Sequence, residues 1–209
     1  MTKLYLIRHA EAEGNIFRRM HGQYNSSVTR NGLRQIEALR ERFESVPVDA
    51  VYASDLLRTR KTAEAICLPK GLPLHTDPRF REVCVGVWED LPFGELERRW
   101  PEELERFHRD TERWSVPGAE SYEACSGRFE AGLRDVAEAH PEQTVAVFAH
   151  GCVLSMGFHR LLGLPLNASG ADNTAVSLLE YENGRFTAVY LYDNSHLSEE
   201  LSPAYWTGA

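Results

Sequence analysis

The sequence predicts an α/β fold in three layers, α/β/α, with helices on both faces of a mainly parallel β-sheet. Three mostly apolar runs, at residues 3–8, 49–53 and 144–149, predict buried strands, and each ends at polar residues. A segment with apolar residues at helical spacing follows each run along the chain. Strands that alternate with helices are typical of parallel sheets, because each parallel connection needs a crossover.

Apolar periodicity and capping residues predict the helices. The predicted helices cover residues 30–44, about 55–67, 95–99, 102–110, 122–139 and 151–162. Thr29 and Ser121 are good N-cap residues for two of them. Ser54 or Asp55 suits the N-cap of the helix after the second strand, and Pro69 is expected to follow the end of that helix.

Two further strands are predicted near the end of the sequence, at residues 175–182 and 185–192. Asn183 and Gly184 separate them, and this dipeptide favours a two-residue hairpin turn. The outer strand of such a hairpin is a candidate edge for pairing in a homodimer.

Length and composition are ordinary for a globular protein. The 209 residues, 43% hydrophobic and 26% charged, favour a single domain over 1–209 with a small helical lid insert at about 90–120. The net charge of −8 and the lack of a basic stripe argue against a nucleic-acid partner. The first apolar run is too short for a signal peptide or a membrane span, and no cysteine pair has C-x-x-C spacing. A cytoplasmic protein with reduced thiols and no membrane partner is therefore expected.

Each of the three buried strands ends beside a residue that can bind phosphate. Arg8 and His9 end the first strand, and Arg58 follows the second. His150 and Gly151 follow the third. A lone histidine here is more often structural and a lone arginine more often solvated, but carboxyl ends of parallel strands meet at one edge, which predicts an anion site. A neutral imidazole can accept a phosphoryl group, arginine offers a planar fork of donors, and a glycine N–H at a helix start can approach an anion.

The same residues lie in sequence blocks with a distinctive order and spacing. These blocks are 6–11 with Asn15, then 21–35, 54–63, 81–89, 117–121, 149–151 and 194–197. Together they cover nearly the whole chain and resemble the histidine phosphatase superfamily, in the branch that includes cofactor-dependent phosphoglycerate mutase. The resemblance implies an α/β enzyme that transfers phosphoryl groups through a histidine.

The resemblance also implies residue roles. His9 is the nucleophile that becomes phosphohistidine, and Glu82 is the proton donor to the leaving oxygen and then the base for water. By the same resemblance, the phosphoryl group is held by Arg8, Arg58 and His150, and the same pocket is lined by Asn15, His21 and Gly22. No metal or cofactor is expected, because cationic side chains can stabilise the charge and the histidines show no H-E-x-x-H pattern.

Three positions depart from the family pattern. Ala10 replaces the usual glycine, which is tolerable if its φ is negative. His21 stands where related phosphatases often have glutamine, and this changes the donors of the pocket. Asp90 replaces a common glycine and is expected to alter the loop after Glu82.

The residues favour a phosphatase over a mutase. Mutases of this family carry basic residues just after the acid, whereas residues 83–91 contain none. The expected reaction is hydrolysis of a small-molecule phosphate monoester. The alternative is a phosphoglycerate mutase that uses a bisphosphate primer.

Two other classes of protein are weaker alternatives. A non-catalytic phospholigand-binding module would not need all of these chemical residues. A serine or cysteine hydrolase would need a nucleophile elbow, and the G-x-S-x-G motif is absent from the sequence.

The predicted lid insert is rich in aromatic residues. They are Phe93, Trp100, Phe107 and Trp114. Two interpretations are open: these side chains pack the lid together, or they cover an apolar part of the substrate.

Overall fold

The computed structural model describes residues 1–166 and 172–202, which include one six-stranded sheet. The strands are β1 Thr2–Arg8, β2 Ala50–Ala53, β3 Leu74–Thr76, β4 Thr144–Ala149, β5 Val176–Glu182 and β6 Arg185–Asp193. They lie in the order β3-β2-β4-β1-β5-β6. The first four strands are parallel to one another, and β5 and β6 are antiparallel to their neighbours, so the sheet is mixed.

Seven helices lie in the described ranges. They are α1 Glu13–Ile16, α2 Arg30–Arg42, α3 Leu57–Lys70, α4 Phe93–Arg99, α5 Pro101–Arg109, α6 Tyr122–Ala139 and α7 Gly151–Leu162. All six predicted helices are present, with small shifts of their ends. Neither α1 nor β3 was predicted, because segments of four and three residues are too short to show a periodicity. The predicted domain span 1–209 includes residues 167–171 and 203–209, which lie outside the described ranges.

None of the helices in the described part of the chain combines the length and the apolar character that a bilayer crossing requires.

The hydrophobic core forms two clusters, one on each face of the sheet. Leu4 and Leu6 of β1 belong to the cluster that includes residues of α6 and α7. Ile7 of β1 belongs to the other, with residues of α2 and α3. Successive side chains of a strand point to opposite faces, so β1 is buried on both sides. This confirms the predicted three-layer α/β fold.

The parallel register brings three strand ends to one edge of the sheet. Arg8 pairs with Ala149, and Ala53 pairs with Phe148. The backbone N–H of the next residue, His9, donates to the Ala149 carbonyl at 3.0 Å. The residues that follow β1, β2 and β4 therefore lie side by side, as the sequence predicted.

Two of the predicted helix caps are confirmed and one is wrong. Thr29 Oγ1 accepts from the Gly32 N–H at 2.9 Å, and Ser121 Oγ accepts from Ala124. Neither Ser54 nor Asp55 is the N-cap of α3, because Leu56 takes that position and makes no side-chain cap. The first N–H of α3 is instead satisfied by Asn25 Oδ1 at 2.9 Å, from a distant loop.

The end of α3 also differs from the prediction. Pro69 lies inside the last helical turn, which continues to Lys70. Gly71 then takes a left-handed conformation with φ 64°, and its N–H bonds back to the Leu68 carbonyl. A glycine C-cap ends the helix, and the proline is tolerated in the final turn.

The predicted hairpin is confirmed. Asn183 and Gly184 have φ values of 50° and 78°, as a two-residue turn between antiparallel strands requires. The second strand, β6, is the outer strand of the sheet, and Val189 on it is exposed. Pairing of this edge in a homodimer stays a prediction.

Gly157 is where α7 packs closely on α6. A Cβ at this position would lie 2.4 Å from the Phe129 ring. α7 begins directly after His150, so this contact helps to hold in place the helix that starts at the predicted site.

We expect Gly157→Ala to lower the free energy of unfolding by roughly 1–3 kcal/mol, because its methyl group would overlap the Phe129 ring. Gly127→Ala is the matched control on α6, since a Cβ there meets nothing within 4 Å. For the control we expect a gain of up to about 1 kcal/mol from helix propensity. Urea unfolding followed by circular dichroism measures both, and equal stabilities would contradict this packing.

Candidate active site

His9 follows β1 and is 3% exposed. Its Nδ1 lies 2.7 Å from the Ala10 carbonyl oxygen. A carbonyl can only accept, so Nδ1 carries the proton and Nε2 keeps its lone pair. The backbone here is also fixed, because Asn173 Nδ2 donates to the His9 carbonyl at 2.9 Å. His9 is thus held in the tautomer of an Nε2 nucleophile.

Electrostatics keep this imidazole neutral. Burial, then the charges of Arg58 and Arg8, hold the pKa of His9 well below its ordinary value. A neutral ring has the lone pair that attack on phosphorus requires.

Arg58, in the first turn of α3, is fully buried. Its Nη1 and Nη2 donate to the carbonyls of Tyr24 and Gly22, each at 2.8 Å, and its Nε donates to His150 Nδ1 at 3.1 Å. Burial lowers the pKa of Arg58 to about 10, so it stays charged at neutral pH. Three of its five N–H groups are engaged in this way, and two remain for an anion.

His150 follows β4, and its ring centroid lies 5.1 Å from that of His9. Since its Nδ1 accepts from Arg58, its Nε2 must donate, and Ser54 Oγ lies 2.7 Å away. Ser54 therefore holds His150 and does not cap a helix. The sequence showed only a serine before a helix, but its place at a strand end could have identified it.

Arg8 and Gly151 meet at the same edge. A Cβ on Gly151 would lie 3.5 Å from the Arg8 guanidinium carbon, so Arg8 rests against the start of α7. The pocket thus gathers two arginines although the chain carries a net charge of −8. This local excess of positive charge suits a phosphate group.

The segment after β1 contributes His21, whose ring centroid is 6.2 Å from that of His9. This ring packs on Gly14, where a Cβ would lie only 1.8 Å from His21 Nε2. His21 Nε2 also lies 3.1 Å from Ser26 Oγ. Asn15, one residue from Gly14, uses Oδ1 to accept from Ala12, which leaves its Nδ2 end as a donor.

Glu89 shapes the loop that faces Arg58, a role the sequence did not reveal. Its carboxylate accepts from the N–H groups of Gln23 at 3.0 Å and Tyr24 at 2.8 Å. Gly22 has φ 49°, and a Cβ there would lie 2.2 Å from Glu89 Oε1. Only glycine fits, and the loop carbonyls turn toward Arg58 as a result.

Glu82 is 9% exposed and reaches the first turn of α7. Its Oε1 accepts from the Val153 N–H at 2.8 Å, and its Oε2 accepts from Cys152 at 3.1 Å. The same helix start follows His150. The start of α7 therefore contacts both the candidate acid Glu82 and the phosphate pocket.

Two of the three departures from the family pattern, Ala10 and Asp90, are accommodated by the backbone and by an ion pair. Ala10 has no positive φ, so its methyl group causes no strain. Asp90 has φ 57°, a conformation typical of glycine, and its carboxylate pairs with Arg19, with Nε and Oδ1 2.6 Å apart. This ion pair fastens the loop after Glu82 to the segment that leads to His21.

Three of the four aromatic residues of the insert, Trp100, Phe107 and Trp114, pack around Trp88. Trp114 is 3% exposed, and its ring centroid lies 4.9 Å from that of Phe107 and 5.3 Å from that of Trp88. Trp100 also contacts Trp88. These contacts favour the packing interpretation of the set.

The sequence profile of the histidine phosphatase superfamily, branch 1, matches residues 4–194. The chain belongs to this superfamily. Phosphoserine phosphatase 1 of Hydrogenobacter thermophilus is 30% identical to this chain over 202 residues, with 95% of the chain and 96% of the relative covered. A probable phosphoglycerate mutase, GpmB, of Yersinia pestis is 32% identical over 194 residues, with 90% and 89% covered.

Solved structures of similar proteins have the same fold as this chain. Bacillus stearothermophilus YhfR superposes with a TM-score of 0.89 at 28% identity, covering 94% of this chain and 99% of the other. The alpha-ribazole phosphatase from Shigella flexneri superposes with a TM-score of 0.80 at 26% identity, covering 91% and 96%.

The buried histidines of this protein predict how its stability depends on pH. Burial and the charge of Arg58 lower the pKa of His21 from 6.5 to about 3. Below pH 6.5 the unfolded chain therefore binds a proton at this residue that the folded chain does not, and stability falls as the pH falls. We expect His21→Gln to reduce the slope of unfolding free energy against pH by about one proton between pH 6 and 5.

Chemical denaturation at a series of pH values measures this slope. His75→Gln, at an exposed position on β3, gives the baseline for replacing a histidine outside the site. A slope for His21→Gln equal to that of the parent protein would show that His21 is protonated when folded.

Proposed function

We propose that this protein hydrolyses small-molecule phosphate monoesters through a phosphohistidine on His9, with Glu82 as proton donor. The observation that carries the proposal is the bond from His9 Nδ1 to the Ala10 carbonyl, which leaves the Nε2 lone pair free. The neighbouring charges of Arg8 and Arg58 supply the stabilisation that a transferring phosphoryl group needs.

The proposed reaction has two steps. In the first, His9 Nε2 attacks phosphorus, the ester P–O bond breaks, and protonated Glu82 gives its proton to the leaving oxygen. In the second, Glu82 takes a proton from water as the water oxygen attacks the phosphohistidine. Phosphate leaves, and His9 and Glu82 return to their starting states. The pathway uses no metal or cofactor, since the arginines provide the positive charge.

The names of similar proteins support a phosphatase that acts on small molecules. Two of them are named phosphoserine phosphatase 1 and alpha-ribazole phosphatase. Phosphoserine and α-ribazole phosphate therefore belong in any substrate panel for this protein.

We expect a labelled phosphoenzyme to form when the protein is mixed with a ³²P-labelled ester and quenched in base. The label should be stable in base and lost in acid, because it is a phosphoramidate on nitrogen. His9→Ala should remove both label and turnover, whereas His75→Ala, an exposed histidine on β3, should keep both. Full turnover by His9→Ala would contradict the proposed nucleophile.

A phosphoglycerate mutase is the second candidate, favoured by the 32% identity to a protein named as one. The lack of basic residues at 83–91 argues the other way. With 3-phosphoglycerate and a bisphosphate primer, we expect free phosphate to form faster than 2-phosphoglycerate. Fast isomerisation with little phosphate release would establish the mutase instead.

A further inference from the structure

Arg128, on α6, binds the backbone of the segment that carries Glu82. Its Nη1 donates to the carbonyls of Arg79 and Arg81, both at 2.7 Å. Its Nη2 donates to the Glu82 carbonyl at 2.9 Å. One guanidinium thus satisfies three acceptors on the four residues that end at the acid.

Glu120 completes this arrangement from the loop before α6. Its Oε1 accepts from Arg128 Nε at 2.7 Å, and its Oε2 accepts from Nη2 at 2.8 Å. The pair is mostly shielded from water, with side-chain exposures of 19% and 16%. The backbone N–H of Glu120 donates to the Cys84 carbonyl at 2.9 Å. The pair therefore holds the chain on both sides of Glu82.

The other end of Glu82 is fixed by α7. Its carboxylate accepts from the first turn of that helix, as described above. Phe129, the residue after Arg128, packs against Gly157 of α7. The backbone of Glu82 is thus bound from α6 and its carboxylate from α7, and these two helices pack against each other.

We propose that Arg128 and Glu120 are positioning residues for Glu82, which set the place of its carboxyl group without touching the substrate. This proposal rests on the function proposed above, because it concerns the proton that Glu82 delivers. The planar fork of arginine is required, since a lysine ammonium cannot span three carbonyls and a bidentate carboxylate with one geometry.

The basicity of the leaving group separates a positioning role from a merely structural one. An alkoxide needs a proton as the P–O bond breaks, whereas p-nitrophenolate is stable enough to leave without one. Misplacing the acid should therefore lower kcat/KM for an alkyl phosphate and spare p-nitrophenyl phosphate. General loss of structure would lower both equally.

The experiment compares kcat/KM for phosphoserine and p-nitrophenyl phosphate in four variants of the full chain. Glu82→Gln is the reference, with an expected loss of roughly 10²-fold on phosphoserine alone. Arg128→Lys and Glu120→Gln should each lose about tenfold on phosphoserine, because small displacements of a catalytic group are costly. Arg134→Lys is the matched control, on the same helix but paired with Glu130, and should lose nothing.

Adding Arg128→Lys to Glu82→Gln should cause no further loss on phosphoserine, because the two changes act through one proton transfer. Circular dichroism checks folding, and Glu120→Gln carries the test if Arg128→Lys does not fold. The positioning proposal would be overturned if the variants lost equally on both substrates. It would also be overturned if neither Arg128→Lys nor Glu120→Gln lost activity on phosphoserine. Either result would leave the proposed function standing. A Glu82→Gln variant without selective loss would overturn the acid assignment itself.

Discussion

The guanidinium of Arg58 is fully buried, and a charge removed from water is costly unless polar partners surround it. Those partners are the carbonyls of Gly22 and Tyr24 and the ring of His150. The loop at 22–24 must therefore keep one conformation. β4 must also end directly before His150, so that its ring reaches Arg58. Much of the site is therefore built from the groups that hydrogen-bond to the buried Arg58 guanidinium.

The same positive charge has a second effect on the chemistry. Together with burial, Arg58 lowers the pKa of His9, His21 and His150. The cations that suit a phosphate group thus also help to keep the His9 ring unprotonated. Glu82 and Glu89, which lie close to the pocket, accept hydrogen bonds from backbone N–H groups.

The sequence predicted the parts of the site that depend on regular structure. Apolar runs located the ends of β1, β2 and β4, and parallel pairing alone then brought His9 and His150 together. Glu82 lies in an irregular segment without periodicity, so only the family resemblance pointed to it. Ser54, Glu89 and Arg128 act through hydrogen bonds to groups far away in the sequence. No local pattern distinguishes Glu89 or Arg128 from a solvated charge. Ser54 was assigned as a helix cap, and its place directly after β2 was the one signal for a role at the site.

The first turn of α7 binds the Glu82 carboxylate and also follows directly from His150. Under the proposed mechanism, this one helix start would set the distance between the Glu82 proton and the phosphorus. Each ester would have to place its bridging oxygen at that distance, so discrimination among esters would arise from contacts beyond this oxygen.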